Sequence, residues 1–419
     1  MRRFLSSVIL LSSFLIVGGT ANQTLDAKEL EQGAHIWGDP NVDYVSTAWP
    51  TDDGLVKIWD VPKLEKGFID TAPADRKDGI IVGELGVDGG NKDMIVKLAQ
   101  EMSDGLHGDF DSLLITYKGK LLFESYYARG RINLTHPQAS ATKTYTGLAL
   151  GRAIQLGYLT MADLDKPVVS FLKDLDTSKL VEGAERVTLH QALTMRSGIR
   201  IINEKGKEFE KYRDLIDGQK LVQAVFEQSD PITSESQSAF SYGNYSSPLV
   251  MQVLDAVVPG TAEDFIKKEL FGKMGIATYE WRTGLGGLPA AGWKSSITTR
   301  AMLKFGTLAM NKGKWNGEQL VPEAYISKAT SRILYNGDDD IFGGGKDVSN
   351  QGYGYFWWSG DLKVGDKSYF STSAQGGSGQ FIILIEELDL IVVATGSHRG
   401  SGGKNLQIAA ERILPAFIQ

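Results

Sequence analysis

The sequence predicts an α/β (α+β) fold in which both ends of the chain contribute strands to one antiparallel sheet. Residues 112–127 form two β-rich runs around a tight turn, and β-rich runs return between residues 353 and 395. The residues between these two regions carry amphipathic helical patterns instead. This order indicates a sheet made from both chain ends and flanked by helices, with an inserted helical region.

Local patterns support each element of the predicted main domain, residues 93–419. The first strands are joined at Lys118–Lys120, a hairpin turn. Thr188 is a plausible N-cap and Gly198 a plausible stop for one short helix. Apolar spacing predicts helices over Met94–Met102, Ser140–Gln155, Val187–Ile199, Phe265–Met274, Thr298–Asn311 and Gly403–Phe417. The late strands are predicted over Tyr353–Trp358, Ser368–Ser371, Gln380–Ile385 and Leu388–Thr395.

The composition is that of a globular protein and argues against several classes of partner. The 419 residues are 42% hydrophobic and 23% charged, and their number allows one large domain or two smaller ones. The formal net charge of −7 gives no reason to expect nucleic acid or an anionic membrane as partner. Because the chain has no cysteine, no disulfides support the fold, which must be stable on core burial alone.

Residues 1–21 are predicted to be a secretory signal peptide that is cleaved after Ala21. A basic start, Met1–Arg3, precedes the mostly apolar run Phe4–Val17, and small residues follow at Gly19–Ala21. The alternative is a membrane anchor, but the apolar run is shorter than the ~20 residues that span a bilayer. Without cysteine there is no lipoprotein attachment site. We therefore expect a periplasmic or secreted protein.

Residues 22–92 are predicted to be an irregular N-terminal extension. They contain Trp37, Trp49 and Trp59 and several turn signals, with no sustained hydrophobic period. We expect this segment to wrap on the main domain through its aromatic side chains. A lid or a wall of the substrate pocket is the alternative.

Ser140 and Lys143 form an S-x-x-K motif at the predicted start of a helix. Pro137 disfavours a helical conformation for the residue before it, so the helix would begin near Ser140. One turn apart, the two side chains would share a face, with the serine at the positive helix end. A serine hydroxyl needs a base to become nucleophilic, and a buried lysine can act as one when desolvation lowers its pKa. Taken alone, the motif also fits an N-cap serine and a solvated surface lysine.

Two later segments have the chemistry to join this pair. Tyr242 and Asn244 lie two residues apart beside a turn, so both side chains could project into one cleft. The glycine-rich run Ala374–Gln380 leads into a predicted strand, and an exposed backbone N–H there could face an oxyanion.

Other hydrolase signatures are missing from the sequence. It contains neither a G-x-S-x-G nucleophile elbow nor an H-E-x-x-H metal motif. The histidines are scattered, and we expect structural roles for them rather than a place in a triad; they are His35, His107, His136, His190 and His398.

The ordered motifs resemble those of the serine β-lactamase and penicillin-binding-protein superfamily. Within it, the chain looks like the class C β-lactamase-related esterases and the 6-aminohexanoate-dimer hydrolases. The resemblance covers about residues 93–419 and rests on S-x-x-K, on Y-G-N and on V-T-L-H-Q-A-L-T-M-R-S-G-I. It also includes Y-G-Y-F-W-W and the late strand sequence G-Q-F-I-I-L-I-E-E-L-D-L-I-V-V. It implies a β-lactamase/transpeptidase-like fold and no cofactor or metal.

The same resemblance implies roles for individual residues. Ser140 would be the acylated nucleophile and Lys143 its partner in proton transfer. Tyr242 would relay protons to the leaving group, and Asn244 would hold the substrate or the lysine.

The glycine-rich segment carries both an implied role and a departure from the family. The backbone N–H groups of Ser140 and Gly377 would form the oxyanion hole, with Gly376 beside them in the same run. Where lactamases carry K-T-G, this chain has Ala374-Gln375-Gly376. The missing lysine removes a positive charge that would meet a substrate carboxylate, so higher activity on simple esters or linear amides than on β-lactams is expected.

The expected function is that of a secreted serine hydrolase acting on a small ester or amide. One alternative is a β-lactamase or D,D-peptidase acting on β-lactams or peptidoglycan peptides. Another is a catalytically inactive relative that binds within the cell envelope. The joint presence of Ser140, Lys143 and Tyr242 favours the enzyme. The acyl group, the leaving group and the oligomeric state are not determined by these motifs.

Overall fold

The computed structural model describes residues 58–418 apart from 203–204, 206, 208–210, 212–215, 285, 339–340 and 399–402. The predicted signal peptide, residues 1–21, and residues 22–57 of the predicted extension lie outside the described residues. The predictions about Trp37 and Trp49 therefore stay predictions.

Among the described residues, nine strands form one antiparallel sheet with strands from both chain ends. The order across the sheet is β1-β3-β2-β14-β13-β12-β11-β10-β9. The two halves meet where β2 pairs with β14, with Leu114 opposite Val393. The predicted sheet made from both ends is thereby confirmed. The strands are β1 Phe68–Asp70, β2 Phe110–Tyr117, β3 Lys120–Tyr126, β9 Leu334–Gly337, β10 Val348–Tyr353, β11 Trp358–Val364, β12 Lys367–Gly376, β13 Gln380–Ile385 and β14 Leu390–Gly396.

Two smaller sheets complete the strand inventory of the described residues. One has three strands in the order β4-β6-β5, and it lies beside the Ser140 segment. The other is a two-stranded hairpin whose turn is Asn316-Gly317, both with positive φ. Their strands are β4 His136–Pro137, β5 Tyr279–Trp281, β6 Ser295–Ile297, β7 Lys314–Trp315 and β8 Glu318–Gln319.

Most helices of the described part of the chain lie between the two halves of the large sheet, while one precedes β2 and two follow the last strand. The predictions over Met94–Met102 and Thr298–Asn311 are confirmed within two residues, with Asn91 and Thr298 as N-caps. The helices are α1 Lys92–Ser103, α2 Thr142–Gln155, α3 Leu189–Leu193, α4 Lys220–Gln228, α5 Ser234–Ser238, α6 Ser246–Val257, α7 Ala262–Phe265, α8 Thr299–Met310, α9 Glu323–Ala329, α10 Asn405–Ile408 and α11 Leu414–Phe417. Helix α7 continues as a π-helix over Ile266–Phe271, and a second π-helix, Ala409–Ile413, joins α10 to α11.

Apolar side chains cover both faces of the large sheet. Along β13, Ile382 and Leu384 pack on the face that holds α2, α6 and α8, whereas Phe381, Ile383 and Ile385 pack on the opposite face with α1 and the C-terminal helices. Successive side chains of a strand point to opposite faces. Since both faces are covered here, the central strands read as continuous apolar runs.

Two local predictions are wrong. Tyr353–Trp358 is not a strand: β10 ends at Tyr353, β11 begins at Trp358, and a turn joins them, with Phe356 at a φ of +58°. The aromatic run has high β-propensity, but its side chains are buried by packing in the turn. The helix predicted over Val187–Ile199 has its Thr188 cap but ends at Leu193, well before Gly198.

Residues 58–91 belong to the predicted irregular extension, but they contribute a strand to the large sheet. Strand β1 pairs with β3 at one edge, with Ile69 opposite Ser125. The segment packs through Ile58, Val61 and Phe68, which are buried, whereas Trp59 is 53% exposed and does not anchor it. Within the part of the chain that the structure describes, no helix has both the length and the apolar character needed to cross a membrane.

Candidate active site

Ser140 lies in a short 3₁₀ turn, Ala139–Ala141, that leads directly into α2. The preceding residue, Ala139, has a φ of +47°, a left-handed conformation that a residue with a Cβ rarely adopts. Gln138 holds this turn in place: its backbone N–H donates to the Ser295 carbonyl at 2.8 Å, and its side-chain oxygen accepts from Tyr145 at 2.7 Å. The serine is thus presented at the start of a helix, as the sequence predicts.

Lys143 is buried one turn along the same helix and faces Ser140. Its Nζ lies 3.3 Å from the Ser140 Oγ and donates to the Asn244 Oδ1 at 2.9 Å and to the Gly292 carbonyl at 3.1 Å. The side chain is 1% exposed. Burial lowers the pKa of Lys143 from 10.5 to about 8. The three oxygens around Nζ are neutral, so they offset little of the cost of removing an ammonium from water.

Tyr242 completes the polar cluster from the loop between α5 and α6. The centroid of its ring lies 4.9 Å from the Lys143 Nζ, and its hydroxyl lies beside Ser140. Burial raises the pKa of Tyr242, while the neighbouring Ser140 hydroxyl acts in the opposite direction. The ring itself stays 39% exposed. Tyr242 therefore keeps its proton at neutral pH and presents it beside Ser140.

Aromatic side chains surround Tyr242, and sequence reasoning did not assign them to the site. The Tyr242 ring lies 5.0 Å from Trp358 and 6.1 Å from Tyr353, and Phe240 lies 5.7 Å from Trp358. The sequence feature that could have indicated these aromatic side chains was the run Y-G-Y-F-W-W, which we interpreted as a strand. These rings fix the position of Tyr242 by packing.

Gly376 and Gly377 meet the Ser140 turn at the end of β12. A Cβ on Gly376 would lie 2.1 Å from the Gln138 carbonyl oxygen, so only glycine allows the strand to approach this closely. Gly377 is the next residue, and a Cβ there would lie 3.9 Å from that of Ala139. The structure therefore brings both predicted glycines next to the turn that presents Ser140. Their part in an oxyanion hole stays a prediction.

Asn244 and Gly292 hold the Lys143 amine through hydrogen bonds. Asn244, a predicted site residue, accepts a hydrogen bond from Lys143, as described above. Gly292 lies in the loop before β6. It belongs to no recognisable sequence motif and was not predicted as a site residue. A Cβ on Gly292 would lie 2.8 Å from the Ser247 Oγ and 3.3 Å from the Lys143 Nζ. Its lack of a side chain makes room for the lysine.

Four of the five histidines lie in the described part of the chain, and none of these four belongs to the Ser140 cluster. His35 lies outside the described residues. His136 Nε2 lies 3.0 Å from a carboxylate oxygen of buried Asp111, and the Ser397 hydroxyl contacts that same oxygen. Because both groups bind the carboxylate, this cluster lacks the serine-to-histidine contact of a triad. His107, His190 and His398 contact Glu101, Tyr355 and Phe110, respectively.

Comparison with known proteins gives one family match and several fold matches. The model of the Beta-lactamase family matches residues 98–414. No curated protein matches. Among solved structures, a putative 6-aminohexanoate-dimer hydrolase from Bacillus anthracis is similar over 77% of this chain and 83% of its own, at 17% identity and a TM-score of 0.57.

Two further structures share the fold. A class C β-lactamase is similar over 78% of this chain and 96% of its own, at 14% identity and a TM-score of 0.56. A D-stereospecific amidohydrolase from Streptomyces sp. is similar over 75% of this chain and 98% of its own, at 16% identity and a TM-score of 0.54. The predicted β-lactamase/transpeptidase-like fold is confirmed.

Proposed function

Since the chain belongs to the Beta-lactamase family, we propose that it is a serine hydrolase that cleaves an ester or amide bond through an acyl-enzyme on Ser140. The observation that carries this proposal is the position of Lys143: a buried, desolvated amine 3.3 Å from the serine Oγ. With a pKa of about 8, roughly a tenth of the lysine is neutral at pH 7. An exposed lysine is almost wholly protonated at that pH and cannot act as a base.

In the first half of the reaction, the Ser140 Oγ attacks the carbonyl carbon of the substrate. The Oγ–C bond forms while the hydroxyl proton passes to the neutral Lys143 amine. The oxyanion that develops is stabilised by backbone N–H groups of Ser140 and Gly377 and by the helix start. The bond to the leaving alcohol or amine then breaks, and a proton goes to the leaving group through the Tyr242 hydroxyl.

In the second half, water replaces the leaving group. A water oxygen attacks the acyl carbon of the ester on Ser140 and gives its proton to the same base. The Ser140 Oγ–C bond breaks, the serine regains its proton, and the carboxylic acid product leaves. The two halves need no redox step and no co-reactant besides water.

The end of β12 supports simple esters or linear amides as substrates, in preference to β-lactams. Ala374 is fully buried, and Gln375 is 5% exposed with its Nε2 donating to the Ser373 Oγ at 2.8 Å. The segment Ala374–Gly376 therefore offers no cation to a substrate carboxylate. A neutral ester has no carboxylate, so the missing cation does not weaken its binding.

The test is hydrolysis of a panel of short p-nitrophenyl esters, a linear amide dimer and nitrocefin. We expect ester or amide turnover that is abolished by Ser140→Ala and kept by Ser178→Ala, a matched change of an exposed serine. Turnover that survives Ser140→Ala would contradict the proposal. A fully inactive wild-type protein that also fails to react with a fluorophosphonate would favour the inactive binding relative.

We also propose that the protein works outside the cytoplasm, in the periplasm or the medium, after loss of residues 1–21. The support is the sequence pattern of Met1–Ala21. N-terminal sequencing of protein recovered from the exported fraction should give Asn22 as the first residue. Protein that keeps Met1 and stays in the cytoplasm would refute this localisation.

A further inference from the structure

A cavity of about 360 Å³ adjoins the candidate active site on the side of Lys143. Asn244 and Gly292 line this cavity, and both also accept a hydrogen bond from the Lys143 Nζ. The cavity therefore adjoins the two groups that bind the Lys143 amine, which itself lies 3.3 Å from the Ser140 Oγ. It extends from there between α4, α6 and the loop that precedes β6.

The walls of this cavity combine aliphatic side chains with polar groups. Most lining side chains are aliphatic, among them Leu221, Val225, Pro248, Met251 and Leu288. The volume lies at the low end of the ~300–1,000 Å³ found for small-molecule pockets. A cavity of this size next to the nucleophile suits one arm of a substrate.

Gln252 is a buried polar side chain in these walls. Gln252 lines the cavity and is 2% exposed, and its Nε2 has no hydrogen-bond partner among the described residues. A Cβ on Gly286 would lie 2.8 Å from this Nε2, so a larger residue there would crowd the amide. Buried polar groups in proteins are nearly always paired. A buried N–H donor without a protein partner beside a cavity indicates a ligand oxygen as its acceptor.

The charge of the lining points to the same chemistry. Among the described residues that line the cavity, Lys294 is the one charged side chain, and no carboxylate is present. Lys294 is half-buried, with its Nζ 4.8 Å from the centroid of the Trp293 ring. The cavity thus favours an anionic or neutral acceptor and disfavours an ammonium group.

We propose that this cavity holds the acyl group of the substrate and that Gln252 selects an acyl chain with a carboxylate or carboxamide oxygen near its far end. This inference rests on the proposed hydrolase function and adds the class of acyl group to it. Gln252 acts here as a specificity-determining residue, and Lys294 decides between the charged and the neutral acceptor.

The experiment compares four p-nitrophenyl esters of similar chain length: those of hexanoic acid, adipic acid, adipic acid monoamide and 6-aminohexanoic acid. We expect kcat/KM for the carboxylate or carboxamide ester to exceed that for the hexanoate by about tenfold, as one good hydrogen bond provides. The ammonium ester should be the poorest substrate. Gln252→Leu should bring the ratio of acceptor ester to hexanoate close to one.

Two further variants complete the design. Gln223→Leu makes the same change on α4 outside the cavity, and it should keep the wild-type ratio. Lys294→Gln should lower the preference for the carboxylate ester and leave that for the carboxamide ester in place. This pair of results identifies which of the two acceptors the cavity takes.

The opposing outcomes are distinct from failure of the hydrolase proposal. If the wild-type enzyme prefers the hexanoate or the ammonium ester, the inference is wrong. It is also wrong if Gln252→Leu lowers kcat/KM for all four esters equally, because the amide would then only support the fold. If no ester is turned over and a fluorophosphonate does not label Ser140, the proposed function itself has failed.

Discussion

Replacing Lys143 by methionine should change how the stability of the protein depends on pH. In the folded protein, burial lowers the pKa of Lys143 from 10.5 to about 8. The unfolded chain, with the ordinary value, therefore binds more protons than the folded protein between pH 8 and 10.5. The free energy of unfolding contributed by this group rises with pH through that window. Below pH 8 the full cost of burying the ammonium is present.

The size of the effect follows from the same two values. A lowering from 10.5 to about 8 corresponds to about 3 kcal/mol, at ~1.4 kcal/mol for each tenfold change in proton affinity. Because the side chain is 1% exposed, little of this is screened by solvent. Methionine also removes the hydrogen bonds to Asn244 and Gly292, but that loss does not depend on pH. The quantity to compare is thus the difference in free energy of unfolding between wild type and Lys143→Met at each pH.

The assay is chemical denaturation of both proteins from pH 7 to 10.5. Relative to Lys143→Met, the wild type should gain about 3 kcal/mol in free energy of unfolding across this range, with little change below pH 8. A difference between the two proteins that is constant with pH would refute the reasoning. It would mean that Lys143 keeps its ordinary pKa in the folded protein and is not poised as a base.

Three other experiments test the site: two substitutions and one comparison of substrates. Tyr242→Phe keeps the ring and removes the hydroxyl, so kcat should fall by roughly 10²–10⁴-fold with little change in Tm; unchanged turnover would rule out its proton relay. Gly292→Ala places a methyl 3.3 Å from the Lys143 Nζ and should lower kcat/KM by about tenfold or more. Gly360→Ala, whose methyl meets ordinary contacts of 3.6 Å or longer, is its matched control, and equal losses in both variants would contradict the argument. Finally, kcat/KM for a butyrate ester should exceed that for nitrocefin, because a missing charge-assisted hydrogen bond costs about 1.5–3 kcal/mol; a better rate on nitrocefin would show that Ala374–Gly376 was misread.

The elements that the sequence predicts well are those fixed by local chemistry. The hairpin at Lys118–Gly119 needs two residues with positive φ, and glycine marks the second of them. The N-caps Thr188 and Thr298 satisfy N–H groups three residues on. Strand β13 matches its predicted bounds, because a run of β-branched and apolar residues buried on both faces has a clear signal.

The elements that sequence reasoning missed depend on tertiary contacts. Strand β1 has three residues, too few to show a period, and it forms only because β3 offers an edge. The turn between Tyr353 and Trp358 was read as a strand because aromatic residues favour strands, whereas here the core buries them in a turn.

In the candidate site, too, some contacts follow from local sequence and others depend on tertiary structure. Ser140 and Lys143 are one helical turn apart, so their contact could be predicted from spacing alone. Tyr242 and Asn244 were assigned through resemblance, since about a hundred residues separate them from the helix. Gly292 and Gln252 carry no motif at all. Their relation to Lys143 and to the cavity exists only after the loop before β6 packs against α6.

The most direct test of the account is covalent labelling of Ser140. After treatment with a fluorophosphonate, intact-mass measurement should show a single adduct, and peptide mapping should place it on Ser140. Ser140→Ala should remain unlabelled, and Lys143→Met should react far more slowly, because the serine then lacks its base. An adduct on another residue, or labelling that survives Ser140→Ala, would contradict the central claim that Ser140 is the nucleophile.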